Sequence, residues 1–124
     1  MQENLSYPSF APELFISNGI RDISFYERGL GAVETLRFNN EDGSVHVAAF
    51  NINGAVFHVH EITASPEMFE PLKHNGCTVR IGLFVEDVDA LINKAVAAGA
   101  VQARKVSARL DRRTAPWRGR HGLP

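Results

Sequence analysis

The 124-residue sequence is poor in several things, holding one cysteine, one tryptophan, two tyrosines and two methionines. A lone Cys77 cannot close an intrachain disulfide or supply a Cys-x-x-Cys pair, which fits a reducing compartment and an expected cytoplasmic location. No apolar run nears the roughly 18 residues of a membrane-spanning helix, so no membrane partner is expected. The start, Met1-Gln2-Glu3-Asn4, lacks the basic and then apolar pattern of a secretory signal. Neither a Gly-rich phosphate loop nor a nucleophile elbow occurs, which argues against P-loop and α/β-hydrolase chemistry. Net charge is only −1.

That near-neutral sum hides a break. Residues 101–124 carry Arg104, Lys105, Arg109, Arg112, Arg113, Arg118 and Arg120 against Asp111 alone, a charge of +6. The first 100 residues keep 6 basic and 13 acidic groups, a charge of −7. The basic end raises a nucleic-acid reading. Trp117 is its only aromatic and the body before it is acidic, so no nucleic-acid partner is expected.

What is present is enough for one domain with a real core: the composition is 44% apolar and 22% charged. Its most informative feature is a weak internal repeat. Leu14-Phe15-Ile16 leads into Ile20, Ile23, Phe25 and Tyr26 and stops at Gly31-Ala32. Ile81-Gly82-Leu83-Phe84-Val85 leads into Val88, Leu91, Ile92 and Val96 and stops at Gly99-Ala100. One offset of 68 residues pairs Gly31 with Gly99, Ile20 with Val88, Ile23 with Leu91 and Ala32 with Ala100. A single duplication implies two modules packed in one domain, not a solenoid, and two such modules facing each other enclose a cleft.

Local pattern supplies the elements. Residues 13–17 read as a strand and 19–29 as a helix with Ser17 or Asn18 as its cap. Gly29 and Gly31 end that helix. Residues 33–38 form a second strand, and 45–61 form a hairpin about Asn53-Gly54, the strongest short signal for a two-residue type I′ turn. After a Pro-interrupted loop at 62–76, with a helical turn expected at 66–69, come a strand at 79–85 and a helix at about 87–98, with Glu86 and Asp87 suited to its positive end. Cys77 beside that strand is expected to be a small buried thiol.

The turn fixes the register. Ile52 faces Ala55, Asn51 faces Val56, Phe50 faces Phe57, Ala49 faces His58, and Val47 faces His60. Alternation then puts Ala48, Phe50, Phe57 and Val59 on an apolar face that carries the helix. Val47, Ala49, Asn51, Val56, His58 and His60 share the other, more polar face.

The segments Ile23-Ser24-Phe25-Tyr26-Glu27-Arg28-Gly29-Leu30-Gly31-Ala32, Gly82-Leu83-Phe84-Val85-Glu86-Asp87-Val88-Asp89-Ala90 and Ala95-Val96-Ala97-Ala98-Gly99-Ala100, in this order and spacing, resemble the vicinal oxygen chelate superfamily. That superfamily holds glyoxalases, bleomycin-resistance proteins and extradiol dioxygenases. The Asp42-Gly43 and Asn53-Gly54 turns place the resemblance nearest its PhnB-like, glyoxalase-like branch. It spans residues 12–103. It implies an α+β fold of two βαβββ modules, the second incomplete, with curved mixed sheets around a cleft and helices outside. Residues 1–124 then form one domain: module one at about 12–61, a linker at 62–76, module two at about 77–103 and an atypical basic tail at 104–124. The resemblance also implies a homodimer.

Metal-dependent members ligate through His or Glu on inward strand positions, which fall here at Ala11, Ala49 and Arg80. Alanine offers no donor atom and arginine does not deprotonate to ligate. No metal is therefore expected at those positions and no cofactor is implied. The ligand-binding candidates are Glu13, Asn51, His58, His60 and Arg80. His58 and His60 stand at i, i+2 on one strand face, and Glu13 shares Ala11's parity. Two imidazoles so spaced can share one ion, so a displaced divalent-metal site of His58, His60 and Glu13 is the alternative. Arg80 suits a carboxylate or phosphate held by two parallel bonds, or an ion pair with Glu13 or another acid. His46 and His74 are expected to be solvated at loop edges, and Met68 and Phe69 to pack as core or lid.

The functional expectation is a small-molecule-binding protein of glyoxalase or bleomycin-resistance type with no assignable catalysis. The alternatives are a metal-dependent lyase or dioxygenase with a displaced site and a non-catalytic sequestering protein. The tail from about Arg104 shows little strand periodicity where a strand, loop and hairpin should complete module two. A reading-frame shift near codons 104–108 accounts for this, and a genuine basic tail folding over the sheet or a partner is the rival account.

Overall fold

A computed structural model describes residues 9–62 and 67–103. Four strands and three helices follow in the order β1 (Glu13–Ile16), α1 (Phe25–Leu30), β2 (Val33–Asn39), β3 (Val45–Ile52), β4 (Ala55–Glu61), α2 (Pro71–His74) and α3 (Val88–Ala97). The strands form one mixed sheet in the order β1-β4-β3-β2. β1 runs parallel to β4, and the β2–β3 and β3–β4 pairs are antiparallel. This is a βαβββ module in an α+β chain, as the sequence implies.

The hairpin forms in the register its turn dictates, with Ile52 opposite Ala55, Phe50 opposite Phe57 and Val47 opposite His60. Asn53 and Gly54 have φ of 50° and 95°, the two positive values a type I′ turn requires and the reason for this dipeptide. The Asn51 side chain accepts a hydrogen bond from the Gly54 N–H at 2.7 Å, which fastens the turn. Ala48, Phe50 and Val59 are fully buried on the helix side. Tyr26 of α1 rests on this face, its ring 5.1 Å from Phe50 and 5.5 Å from Phe57, which stack on each other.

α1 is shorter than the expected helix over 19–29, and the reason is visible in its hydrogen bonds. A helix starting at Gly19 needs the Ser24 N–H to bond the Ile20 carbonyl. Instead Asp22 Oδ1 accepts from the Ser24 N–H at 2.9 Å and from Ser24 Oγ at 2.6 Å. The Ile20 carbonyl accepts from Val45 of β3 at 2.8 Å. The segment is thus tied to the sheet and turns into α1 only at Ser24, its N-cap; Ser17 and Asn18 lie outside the helix. Ile23 is buried all the same.

The internal repeat appears where the helices stop. Gly31 and Gly99 both adopt positive φ, 71° and 119°, and Ala32 and Ala100 behind them are both buried. α3 begins at Asp87, whose carboxylate accepts from the Ala90 N–H at 3.0 Å, a standard way to satisfy an orphan donor of the first turn. Its buried residues, Val88, Ile92 and Ala95, lie at i, i+4 and i+7 on one stripe, and α3 packs on α1.

The expected strand at 79–85 does not form: the described residues there carry only an isolated bridge position at Phe84, with another at Val101. The alternation survives, since Ile81, Leu83 and Val85 are half-buried while Gly82 and Phe84 are exposed. Side-chain pattern alone does not make a strand; a ladder needs a neighbouring strand to bond, and the described part of the second half supplies none. The described residues contain one sheet. Cys77 is exposed, not buried, because its neighbours from Leu72 to Arg80 are all exposed as well. The one-turn α2 lies at Pro71–His74, later than the helical turn expected at 66–69; residues 63–66 fall outside the described part, as does the whole basic tail at 104–124 with its frame-shift reading. No described helix is long and apolar enough to cross a membrane.

Candidate functional site

The sheet face turned away from α1 carries the candidate residues. Parallel pairing sets Glu13 of β1 beside His58 and Phe15 beside His60. Antiparallel pairing continues each row, with His58 beside Ala49 and His60 beside Val47, then Ala49 beside Leu36 and Val47 beside Phe38. Two rows therefore cross the sheet, Glu13–His58–Ala49–Leu36 and Phe15–His60–Val47–Phe38. Directly paired residues point to the same side, so both rows run from a histidine on β4 to an apolar end on the edge strand β2, with Glu13 and Phe15 beside the histidines on β1. Phe38 is 54% exposed and Leu36 37%, large apolar side chains left in water by the described residues. His58, His60, Val47, Ala49 and Asn51 are half-buried and Glu13 is exposed.

The structure brings Glu13, His58 and His60 to one face, whereas Arg80, expected at an inward strand position, lies outside the sheet. Arg80 is exposed on the segment before α3, and α3 packs on α1. Asn51 belongs to the same face, but its carbonyl oxygen is already committed to the turn at Gly54. Among the described residues no group of three or more His, Cys, Asp or Glu side chains is arranged to hold a metal ion. Ala11, Ala49 and Arg80, the positions to which the sequence resemblance assigns metal ligands, carry no suitable donor atom.

A second cluster was missed at the sequence level. His46 does not hang in a loop; it lies within β3, and its Nδ1 sits 2.6 Å from Glu61 Oε2. Asn40 Nδ2 donates to that same oxygen at 3.0 Å and to Ser44 Oγ at 3.1 Å. Ser44 Oγ in turn donates to Asp42 Oδ1 at 2.6 Å. His60 Nδ1 lies 2.6 Å from the Glu61 backbone oxygen, and the His46 and His60 rings are 5.0 Å apart, edge to face. The bonds from His46 and Asn40 hold the Glu61 carboxyl below its ordinary pKa, because they favour the charged form. The hairpin register contained the signal: if Val47 faces His60, the next position outward sets His46 against Glu61. His74, by contrast, is exposed in α2 with its ring against Phe69, centroids 3.9 Å apart.

Comparison with known proteins bears on family and fold. No protein-family profile matches the chain. The uncharacterized protein Mb0911c of Mycobacterium bovis is 31% identical over 121 residues, covering 94% of this chain and 74% of that protein. The uncharacterized Mycobacterium tuberculosis protein Rv0887c has the same identity, and the match covers 66% of it. Among solved structures, the Arabidopsis thaliana gene product AT5G48480 superposes with a TM-score of 0.72 at 24% identity, covering 95% of each chain. TioX from Micromonospora sp. ML1 superposes with a TM-score of 0.60 at 18% identity, covering 93% of this chain and 94% of that one. At these identities the structures establish a shared fold.

Proposed function

The chain belongs to the family of the mycobacterial protein Mb0911c, and on that footing we propose that it is a glyoxalase-like small-molecule-binding protein. The observation that carries this reading is the sheet face opposite α1, where Glu13 and His58 are register partners and His60 lies two residues on. A compact metabolite with a hydrogen-bonding head and an apolar or aromatic body matches a surface graded from Glu13, His58 and His60 to Val47, Leu36 and Phe38. Such sites are mostly apolar with a few convergent polar groups. No residue is assigned a catalytic role.

The exposed apolar edge at Leu36 and Phe38 supports covering by a second copy of the chain, since a bound ligand normally has most of its surface buried. A homodimer in the cytoplasm is part of this reading. The sequestering alternative, of bleomycin-resistance type, differs only in the absence of turnover.

Binding of a panel of compact carboxylates, phenols and hydroxy-ketones, followed by chemical shifts of backbone amides, tests the proposal. Shifts concentrated at residues 13–15, 36–38, 47–51 and 56–60, and weakened at least tenfold in affinity by His58→Ala, are expected. Binding that maps to α3 or persists in that variant would sink it.

A further inference from the structure

We propose that His46 and His60 form a two-imidazole site for a divalent transition cation of the zinc class, at the margin of the face assigned to the small molecule and sharing only His60 with it. Each ring has its Nδ1 committed to an oxygen. The partner of His60 Nδ1 is the Glu61 backbone carbonyl at 2.6 Å, which only accepts, so that nitrogen carries the hydrogen. The partner of His46 Nδ1 is the Glu61 carboxylate at 2.6 Å, whose same oxygen also accepts from Asn40 Nδ2 at 3.0 Å. In each neutral ring the lone pair therefore resides on Nε2. An imidazole whose other nitrogen donates to a carboxylate or a backbone carbonyl is the arrangement that orients metal-binding histidines and raises their basicity. One glutamate does this for both rings, through its side chain and its main chain.

Spacing agrees with this assignment. With metal–nitrogen bonds of about 2.0–2.1 Å and a tetrahedral angle, two imidazoles on one ion have ring centroids about 5 Å apart. The His46 and His60 centroids are 5.0 Å apart at an interplanar angle of 61°. Because no third His, Cys, Asp or Glu of the described residues completes the set, water fills the remaining positions. Such a site binds zinc more weakly than a four-ligand structural centre. Its position at the open end of the β3–β4 hairpin, with the His46 side chain 44% exposed, leaves an entry path.

Isothermal titration of the full chain with zinc chloride tests the site, with ring nitrogens of labelled histidines observed in parallel. One zinc per chain is expected, with Nε2 of His46 and His60 shifting while both Nδ1 atoms keep their hydrogens. His46→Ala and His60→Ala each weaken binding at least tenfold, His58→Ala leaves it unchanged, and Glu61→Gln weakens it about tenfold through the loss of orientation. His46→Gln, which keeps a polar side chain of similar length, gives the same loss if folding of the alanine variant is impaired. No zinc uptake, or uptake untouched by His46→Ala and His46→Gln, overturns the proposal. His46→Ala leaves small-molecule binding on the sheet face intact, so failure of one site is distinguishable from failure of the other.

Discussion

Gly29 of α1 lies against Ala98, the C-cap of α3, with too little room between them for a side chain. A Cβ at Gly29 would stand 3.3 Å from the Ala98 Cβ and 2.9 Å from Phe25 Cε1. Phe25 is itself buried, its ring edge-to-face with Tyr26 at 5.4 Å. An alanine in a helix ordinarily gains roughly 1 kcal/mol over glycine. Here the methyl must displace a buried ring, and overpacking of that kind costs about 1–3 kcal/mol. The clash wins: Gly29→Ala is expected to lower the midpoint of thermal unfolding by a few degrees. An unchanged or higher midpoint would show that α1 and α3 separate more easily than their packing indicates.

Gly54 presents the opposite case. Nothing lies within 4 Å of the place a Cβ would take, yet its φ is +95°. Gly54→Ala therefore costs stability through backbone strain alone, on the order of 1 kcal/mol. Gly54→Asn should recover part of the loss, because asparagine tolerates positive φ better than alanine. Urea unfolding of the two variants checks the order, and alanine matching asparagine would argue against a I′ turn.

The bonds to Glu61 carry a pH signature. Its folded pKa lies below the ordinary carboxyl value of 4.5 because of His46 first and Asn40 second. A carboxyl with a depressed pKa adds stability above its unfolded pKa and loses it as pH falls through the folded value. Urea midpoints should therefore decline on acidification below about pH 4.5, and Glu61→Gln should remove part of that slope while leaving the other carboxyls' share. A Glu61→Gln acid limb parallel to wild type would show that the His46 contact contributes nothing in solution.

Much of this was legible in the sequence because local chemistry and tertiary structure agree. Asn53-Gly54 sets the hairpin register, and the register alone puts Phe50 and Phe57 under the helix and His58 and His60 on the other face. Periodicity reads Ile20 and Ile23 as one stripe of a helix over 19–29, whereas Asp22 and Val45 take the groups that would build its first turn. The strand at 79–85 was overestimated for a related reason: its alternation is genuine, but a ladder depends on a partner elsewhere in the chain. His46 was passed over because it stands alone in sequence. Only extending the hairpin beyond Val47 and His60 would have set it against Glu61.

Whether the two halves unfold together follows from how the core is shared. Ile16, Tyr26, Phe50 and Val59 of the first half and Val88, Ile92, Ala95 and Ala100 of the second belong to one continuous buried cluster. Neither half has a separate apolar centre among the described residues, so loss of packing in α3 should be felt across the sheet. Ile92 is 5% exposed, and Ile92→Ala leaves a cavity worth about 2–5 kcal/mol. Native-state hydrogen exchange should show the protection of the Phe50 and Val59 amides falling by the same free energy as that of the α3 amides. For a two-state unit, every globally exchanging amide reports the same change. If protection falls within α3 alone, the second half opens independently, and the first βαβββ module is stable without it.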